Sequence, residues 1–265
     1  MNWLHKSTVI SGILLLITTT TFLLSKKTIA AEVPETRAIE LLNQGQTRAR
    51  QGDLSGAIAA YTQAIAANPR YTEAYIDRGL AHHDLGDFRR AIADFEQAVQ
   101  LNPDSARAIY NRGEAKADTG DLSSALKDMT QAIRLNPNYA EAYNNRGVIQ
   151  VQMGNLQAAV RDLDQAVQAK PNYADAYYNR GKAKTTLGDA TGAISDFTRA
   201  IQLNPKLPDA YGNRGILYAE TGDQQAALQD LQTAARLFQQ AGDQDSYNLT
   251  LGYIQQIQQA PNRSQ

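Results

Sequence analysis

Five prolines, Pro69, Pro103, Pro137, Pro171 and Pro205, stand 34 residues apart, each preceded by Asn or Lys. A fixed period of that size marks a chain built by stacking one small unit many times. Counted from Ala38, six units follow: 38–71, 72–105, 106–139, 140–173, 174–207 and 208–241. The usual prior of one or two globular domains for 265 residues therefore does not apply. Each unit instead buries its apolar side only against its neighbours.

The repeat supplies its own internal alignment. Position eight is Gly in every unit, from Gly45 to Gly215, and positions twenty and twenty-seven are always Ala, from Ala57 and Ala64 to Ala227 and Ala234. A glycine inside a helix costs about 1 kcal/mol relative to Ala, so its return at one place predicts a helix contact too close for a methyl group. Gly-Asp or Gly-Asn at positions fifteen and sixteen (Gly52-Asp53, Gly86-Asp87, Gly154-Asn155) ends one helix and caps the next. Proline at position thirty-two stops the second helix. Each unit is thus an antiparallel helical hairpin.

These residues resemble the tetratricopeptide repeat pattern, W-x2-L-G-x2-Y followed by A-x3-F, A and P. The second unit matches it with Tyr75, Gly79, His82, Ala91, Phe95, Ala98 and Pro103, and the fifth with Tyr177, Gly181, Lys184, Ala193, Phe197, Ala200 and Pro205. The resemblance covers residues 38–241 and implies an all-α, right-handed superhelical solenoid of antiparallel helix pairs. One departure is systematic: position seven, Leu in the family pattern, is Arg in units two to six.

Both ends differ from the repeats. Unit six has Gln239 where the proline should be, and its second helix is expected to run to Ala241. A capping helix over 243–259 follows, started by Asp243 or Asp245, with Tyr247, Leu251, Ile254 and Ile257 on one face and a tail at 260–265. At the other end Lys6 precedes an apolar run, residues 9–24, and Ile29-Ala30-Ala31 offers small residues for cleavage. Residues 1–31 therefore read as a signal peptide that leaves an exported, mildly acidic body, or as a single membrane anchor. The sixteen residues of that run span roughly 24 Å against a hydrocarbon core of ~30 Å and Thr18 to Thr21 weaken it, whereas Lys26 and Lys27 between run and cleavage site favour the anchor. Residues 32–37 read as a short linker.

Helical geometry sorts the recurring side chains by direction. With position four at 0°, positions eight and eleven form the seam toward the second helix, and position seven lies at its margin. Arg78, Arg112, Arg146, Arg180 and Arg214 occupy position seven, and Asp94, Asp128, Asp162, Asp196 and Asp230 occupy position twenty-three. Unit one lacks both, with Gln44 and Ala60. Shared presence and shared absence predict structural Arg-Asp pairs, formed within a hairpin or across to the next; a basic ridge for an acidic partner is the competing reading. Position six, opposite the seam, carries Asn43, Asn111, Asn145, Asn179 and Asn213, with Asp77 in unit two.

In the resembled family this opposite face lines a concave groove, and asparagine at position six commonly bonds the main chain of a bound peptide. An amide both donates and accepts, and a bond to a neighbouring helix would use it equally well. Around these amides stand position five (Tyr110, Asn144 and Tyr178 among others), position nine (Val148, Lys182, Ile216) and position twelve (His83, Val151). This mixed lining suits a neutral or amphipathic segment. The family's chaperone-tail clamp needs Lys at five and Asn at nine, then Lys at two and Arg at six; no such set occurs, so no chaperone tail is expected.

Other chemistry is excluded residue by residue. A net charge of −1 and a pI near 6.3 give no basic footprint for nucleic acid. Without cysteine there is no disulfide or thiolate site. His82 and His83 are adjacent and point ~100° apart, a poor metal pair. No phosphate loop or nucleophile elbow is present, so neither cofactor nor catalysis is expected. The sequence predicts a non-enzymatic scaffold that holds a peptide segment or helix of another protein in its groove. The alternative is a membrane-associated assembly factor working through its convex or edge surface.

Overall fold

The computed structural model describes residues 35–259. Thirteen helices and no strands occur among them: α1 (35–50), α2 (Leu54–Ala67), α3 (Thr72–Asp84), α4 (Phe88–Leu101), α5 (Ala106–Asp118), α6 (Leu122–Leu135), α7 (Ala140–Gln152), α8 (Leu156–Ala169), α9 (Ala174–Thr186), α10 (Ala190–Leu203), α11 (Pro208–Glu220), α12 (Gln224–Ala241) and α13 (Gln244–Gln259). Two compact units divide at Asn111–Arg112, inside α5. The first holds α1 to α4 with the start of α5; the second holds the rest of α5 and everything after it. The segment read as signal or anchor, and the tail, lie outside the described residues. No described helix is long and apolar enough to cross a membrane.

Local chemistry sets each helix end. Asp53, Asp87, Asp121, Asp189 and Asp223 each accept the backbone N–H three residues on, capping the second helix of their hairpin. Just before each of these caps the chain reverses through glycine; Gly188 has φ +79°, a left-handed conformation that costs other residues about 1–2 kcal/mol. At the far end Asn68, Asn102, Asn136 and Asn204 accept the N–H two residues on through Oδ1. Each Asn thereby closes a turn around the proline that follows it, so the Asn-Pro pair acts as one stop signal. Lys170 replaces this Asn in unit four, and its ammonium instead pairs with Glu141 at 2.7 Å and lies over the Tyr173 ring.

Within the second compact unit, first helices pack on their own second helices (α7 on α8, α9 on α10, α11 on α12) and successive first helices also meet, α7 against α9. In the first, Leu41 and Leu42 of α1 form one core with Ala57, Tyr61 and Ala64 of α2 and Ala74 and Ala81 of α3. Position twenty-four provides the bulk: Tyr61, Phe95, Met129, Leu163, Phe197 and Leu231 are all buried, each worth about 1.5–3 kcal/mol in transfer from water. The position-eight glycines are their sockets. A Cβ on Gly147 would stand 2.8 Å from Leu163 Cγ, and one on Gly79 2.6 Å from the Phe95 ring.

One boundary differs from expectation. α1 starts at residue 35, within the stretch read as linker at 32–37, where Arg37 reaches Glu40 at 3.6 Å, one turn on. At the other end Asp243 caps α13, accepting the Ser246 N–H at 3.0 Å. Ile254 is buried and Tyr247, Leu251 and Ile257 are half-buried, whereas Leu249 and Tyr253 face solvent.

Candidate functional site

Each position-seven arginine grips the position-twenty-three aspartate of its own hairpin. Arg146 donates from Nε to Asp162 Oδ2 at 2.7 Å and from Nη2 to Oδ1 at 2.6 Å. The same two-pronged pairing joins Arg78 to Asp94, Arg112 to Asp128, Arg180 to Asp196 and Arg214 to Asp230. All five aspartates are buried, at 3–6 % exposure. The bonds to Asp162 raise the Arg146 pKa further above its usual value.

The arginines also join neighbouring repeats. Arg78, Arg146 and Arg214 donate from Nη1 to Thr62, Thr130 and Thr198 of the preceding unit, and Arg180 to Asp164. Each of Arg78, Arg146, Arg180 and Arg214 further lies over the Tyr three residues before it, 5.3–5.8 Å from the ring centroid. Position eleven varies around this constant pair. Lys116 and Lys184 add a second cation to Asp128 and Asp196 at 3.0 and 2.8 Å, while Gln150 has a buried Oε1 without a hydrogen-bond partner. The guanidiniums are thus committed inside the fold, bonded to the chain itself.

The position-six amides lie on the first helices but serve the stack as well. Asn179 donates to Asn144 Oδ1 at 2.9 Å, Asn144 to Asn145 Oδ1 at 3.1 Å, and Asn145 to Glu114 Oε1 at 3.3 Å. Asn213 donates to the Tyr178 hydroxyl at 3.4 Å. In the first compact unit Asp77 accepts from Gln46 at 2.8 Å and from Arg107 at 3.0 Å. Asn43 is exposed, Asn111 is buried, and Asn145, Asn179 and Asn213 are half-buried.

Position five moves inward. Leu42, Ile76 and Asn144 are 5 %, 2 % and 5 % exposed, so Asn144, read as a groove residue, is a buried member of the amide chain instead. Tyr110 and Tyr178 are half-buried. The Tyr178 ring packs on Phe197 at 5.9 Å, and burial together with Asp209 pushes its hydroxyl pKa up to about 12. Wheel geometry on an isolated hairpin counts one seam only. Stacking adds a second one, against the next first helix, and the buried arc then includes Ala74 and Ala81, Ala142 and Ile149, Ala176 and Ala183. What stays accessible is position nine with its surroundings: Val148 and Ile216 half-buried, and Lys182 exposed over the Tyr178 ring at 5.5 Å.

Between α5 and α7 this face opens into a cavity of about 230 Å³, lined by Glu114, Asp118, Met129, Asn145, Val148 and Gln152 among others. A second, of about 290 Å³, lies between α1 and α3 and uses the same repeat positions, with Gln46, Arg50, Tyr61, Asp77, Leu80 and Asp84. Among the described residues no group of three His, Asp or Glu is placed to hold a metal.

The tetratricopeptide repeat model matches residues 42–106, 77–140, 110–174 and 149–208, and a second model of the same description matches 197–229. Together they span well over half of the chain. It is a tetratricopeptide repeat protein. Among solved structures it is similar to MamA, at 30 % identity over 61 % of this chain and 95 % of that one, with a TM-score of 0.56. YrrB, described as a TPR protein with an unusual peptide-binding site, is 24 % identical over 73 % of this chain and 97 % of its own, with a TM-score of 0.58. PilF of Pseudomonas aeruginosa shares the fold, with a TM-score of 0.73 at 13 % identity over 83 % and 99 % of the two chains. No curated protein matches the sequence.

Proposed function

We propose that this tetratricopeptide repeat protein is a non-catalytic scaffold that holds a peptide segment or helix of a partner protein on the face formed by its first helices. The observation that carries this reading is the open cavity between α5 and α7, where apolar and polar side chains of two successive repeats converge. The arginine ladder, by contrast, is spent on cohesion. YrrB, by its description, takes peptide at a site of its own, which supports a peptide-holding use of this fold. The N-terminal segment would deliver the repeats across or onto a membrane, where such a scaffold gathers partners; a mature chain beginning at Glu32 on N-terminal sequencing tests the export half of this statement.

Photocrosslinking from the accessible face tests the scaffold reading. A crosslinker at Val148 or Lys182 should capture a partner that Val148→Glu or Lys182→Glu prevents from binding. Capture that survives both changes but is lost on altering exposed second-helix residues, such as Arg161 and Gln165, would move the site to the other surface.

A further inference from the structure

We infer that the second compact unit docks on an anionic lipid surface through the outward faces of its second helices, α6, α8, α10 and α12. The inference goes beyond the peptide-scaffold reading and concerns the face which that reading leaves free. Positions eighteen, twenty-two, twenty-six and twenty-nine run along one side of each second helix, and position thirty-three continues the line. In units three to six these five positions hold twenty residues, all exposed except Gln131 and Thr233, which are half-buried. Six of the twenty are cations: Lys127, Arg134, Arg161, Arg199, Lys206 and Arg236. The other fourteen are Gln, Asn, Ser or Thr, without one acid or one apolar side chain. In a chain of net charge −1 this is a segregation of charge onto one face.

These cations are not spent on the fold. Among the described residues none of the six forms an ion pair, whereas Arg112, Arg146, Arg180 and Arg214 on the first helices all do. Arg199 donates only to Gln202 Oε1, at 3.3 Å, and lies over the Tyr177 ring at 6.0 Å. A guanidinium stacked in this way keeps its edge for an oxyanion. Beside it, between α9 and α10, opens a polar cavity of about 360 Å³, lined by Tyr177, Ser195, Thr198 and Gln202 and by the paired Arg180 and Asp196. Position twenty-six is Gln in units one to four and Thr in unit six, so the cation at this cavity is peculiar to unit five. The carboxylates nearby already have partners: Asp164 is held by Arg180 at 2.7 Å, and Asp121, Asp189 and Asp223 by the first N–H groups of their helices.

What the stripe lacks selects its occupant. A protein interface buries a core enriched in aromatic and other apolar groups, and nucleic acid asks for stacking aromatics or a strongly basic domain. The stripe offers neither, and Leu135 at its margin is the one exposed large apolar side chain on these four helices. A layer of anionic headgroups asks only for positive charge spread over an area, where each Lys or Arg near the surface strengthens binding about fivefold. The cavity beside Arg199 then seats the phosphate of one headgroup.

The chain has no cysteine of its own, so a fluorophore can be placed at Gln165→Cys on the stripe or at Gln152→Cys on the first helix α7. The full-length labelled protein is mixed with vesicles of phosphatidylcholine alone or of phosphatidylcholine with phosphatidylglycerol, each carrying a headgroup-linked quencher. Contact read at one labelled position keeps residues 1–31 from deciding the result. The Gln165 probe should be quenched on the anionic vesicles alone and released at high salt, as the screening length shortens, while the Gln152 probe stays bright. Each of Lys127→Gln, Arg161→Gln, Arg199→Gln and Arg236→Gln should weaken docking about fivefold, in variants that circular dichroism shows to be folded. Equal quenching on both kinds of vesicle, stronger quenching at Gln152, or a quadruple variant that docks unchanged overturns the inference. A Gln165 probe that responds to polyglutamate and not to vesicles also overturns it, and assigns the stripe to an acidic protein segment. None of these outcomes touches capture of a partner by the first-helix face, which stands or falls on its own test.

Discussion

Replacing Asp162 by Asn removes one charge from a pair that the fold has almost closed off. The Asp162 side chain is 9 % exposed and that of Arg146 18 %, with two short charge-assisted bonds between them. An exposed ion pair contributes about 0.2–1 kcal/mol, while breaking a buried one costs about 3–5 kcal/mol. This pair lies toward the buried end, so Asp162→Asn should cost about 2–4 kcal/mol, chiefly because the guanidinium stays buried opposite a neutral amide. Arg146→Met should cost a similar amount, since it strands the carboxylate. The double variant Arg146→Met/Asp162→Leu strands neither, and should cost at least about 2 kcal/mol less than the two singles summed. A plain exchange of the two charges is a poorer test, because Arg146 also reaches Thr130 and the Tyr143 ring. Urea denaturation followed by circular dichroism gives the stabilities, and amide hydrogen exchange in α7 and α8 localises the loss, which matters because stacked repeats can open in parts. Additive singles, or an Asp162→Asn cost below about 0.5 kcal/mol, would refute the buried-pair argument.

Two further outcomes concern repeat position eleven, held by Gln150 in unit four and His82 in unit two. Gln150→Lys should stabilise by about 0.5–2 kcal/mol, because it replaces an unpartnered buried oxygen with the cation that Lys116 and Lys184 already place on their aspartates; a lower melting temperature contradicts this. His82 is buried, and burial, helped by Arg78 and Arg90, holds its pKa below the ordinary 6.5 against the opposing pull of Asp94 and Asp87. Because the unfolded chain takes up the proton first, stability should fall as pH drops from about 6.5 through the folded value. His82→Gln should flatten that slope in melts taken between pH 5 and 7, approximately the window in which histidine titrates, and an unchanged slope would assign it to another group.

The fold was readable from the sequence because its constraints recur. Gly147 facing Leu163 is one clash, but the same glycine in every unit reports a rule, and the Arg-Asp pairing emerged because unit one lacks both partners at once. The site was harder to read. A wheel drawn on one hairpin leaves Asn144 and Ile76 on open surface, whereas both are buried in the stack. Contacts between repeats have no signature within a single unit. Thr62, Thr130 and Thr198, which accept from the arginines, did leave a trace, since threonine returns at position twenty-five in alternate units; it is visible only when units are compared two apart. The cavity between α5 and α7 needed the structure, because its walls come from positions six, nine, ten and thirteen of one repeat and nine, twelve, thirteen and twenty-four of another.

That alternation of threonine bears on how such a chain can lengthen or shorten. Arg146 and Arg214 each find a hydroxyl on the unit before them, while Arg180 finds a carboxylate. Excising unit five alone would bring Arg214 against Asp164 and change the chemistry of the joint; excising units four and five together would bring it against Thr130 and leave the joint as it was. For the arginine joint the repeating module is therefore the pair of hairpins. Gain or loss in even steps preserves the chemistry of this arginine joint, and an odd step obliges it to be rebuilt.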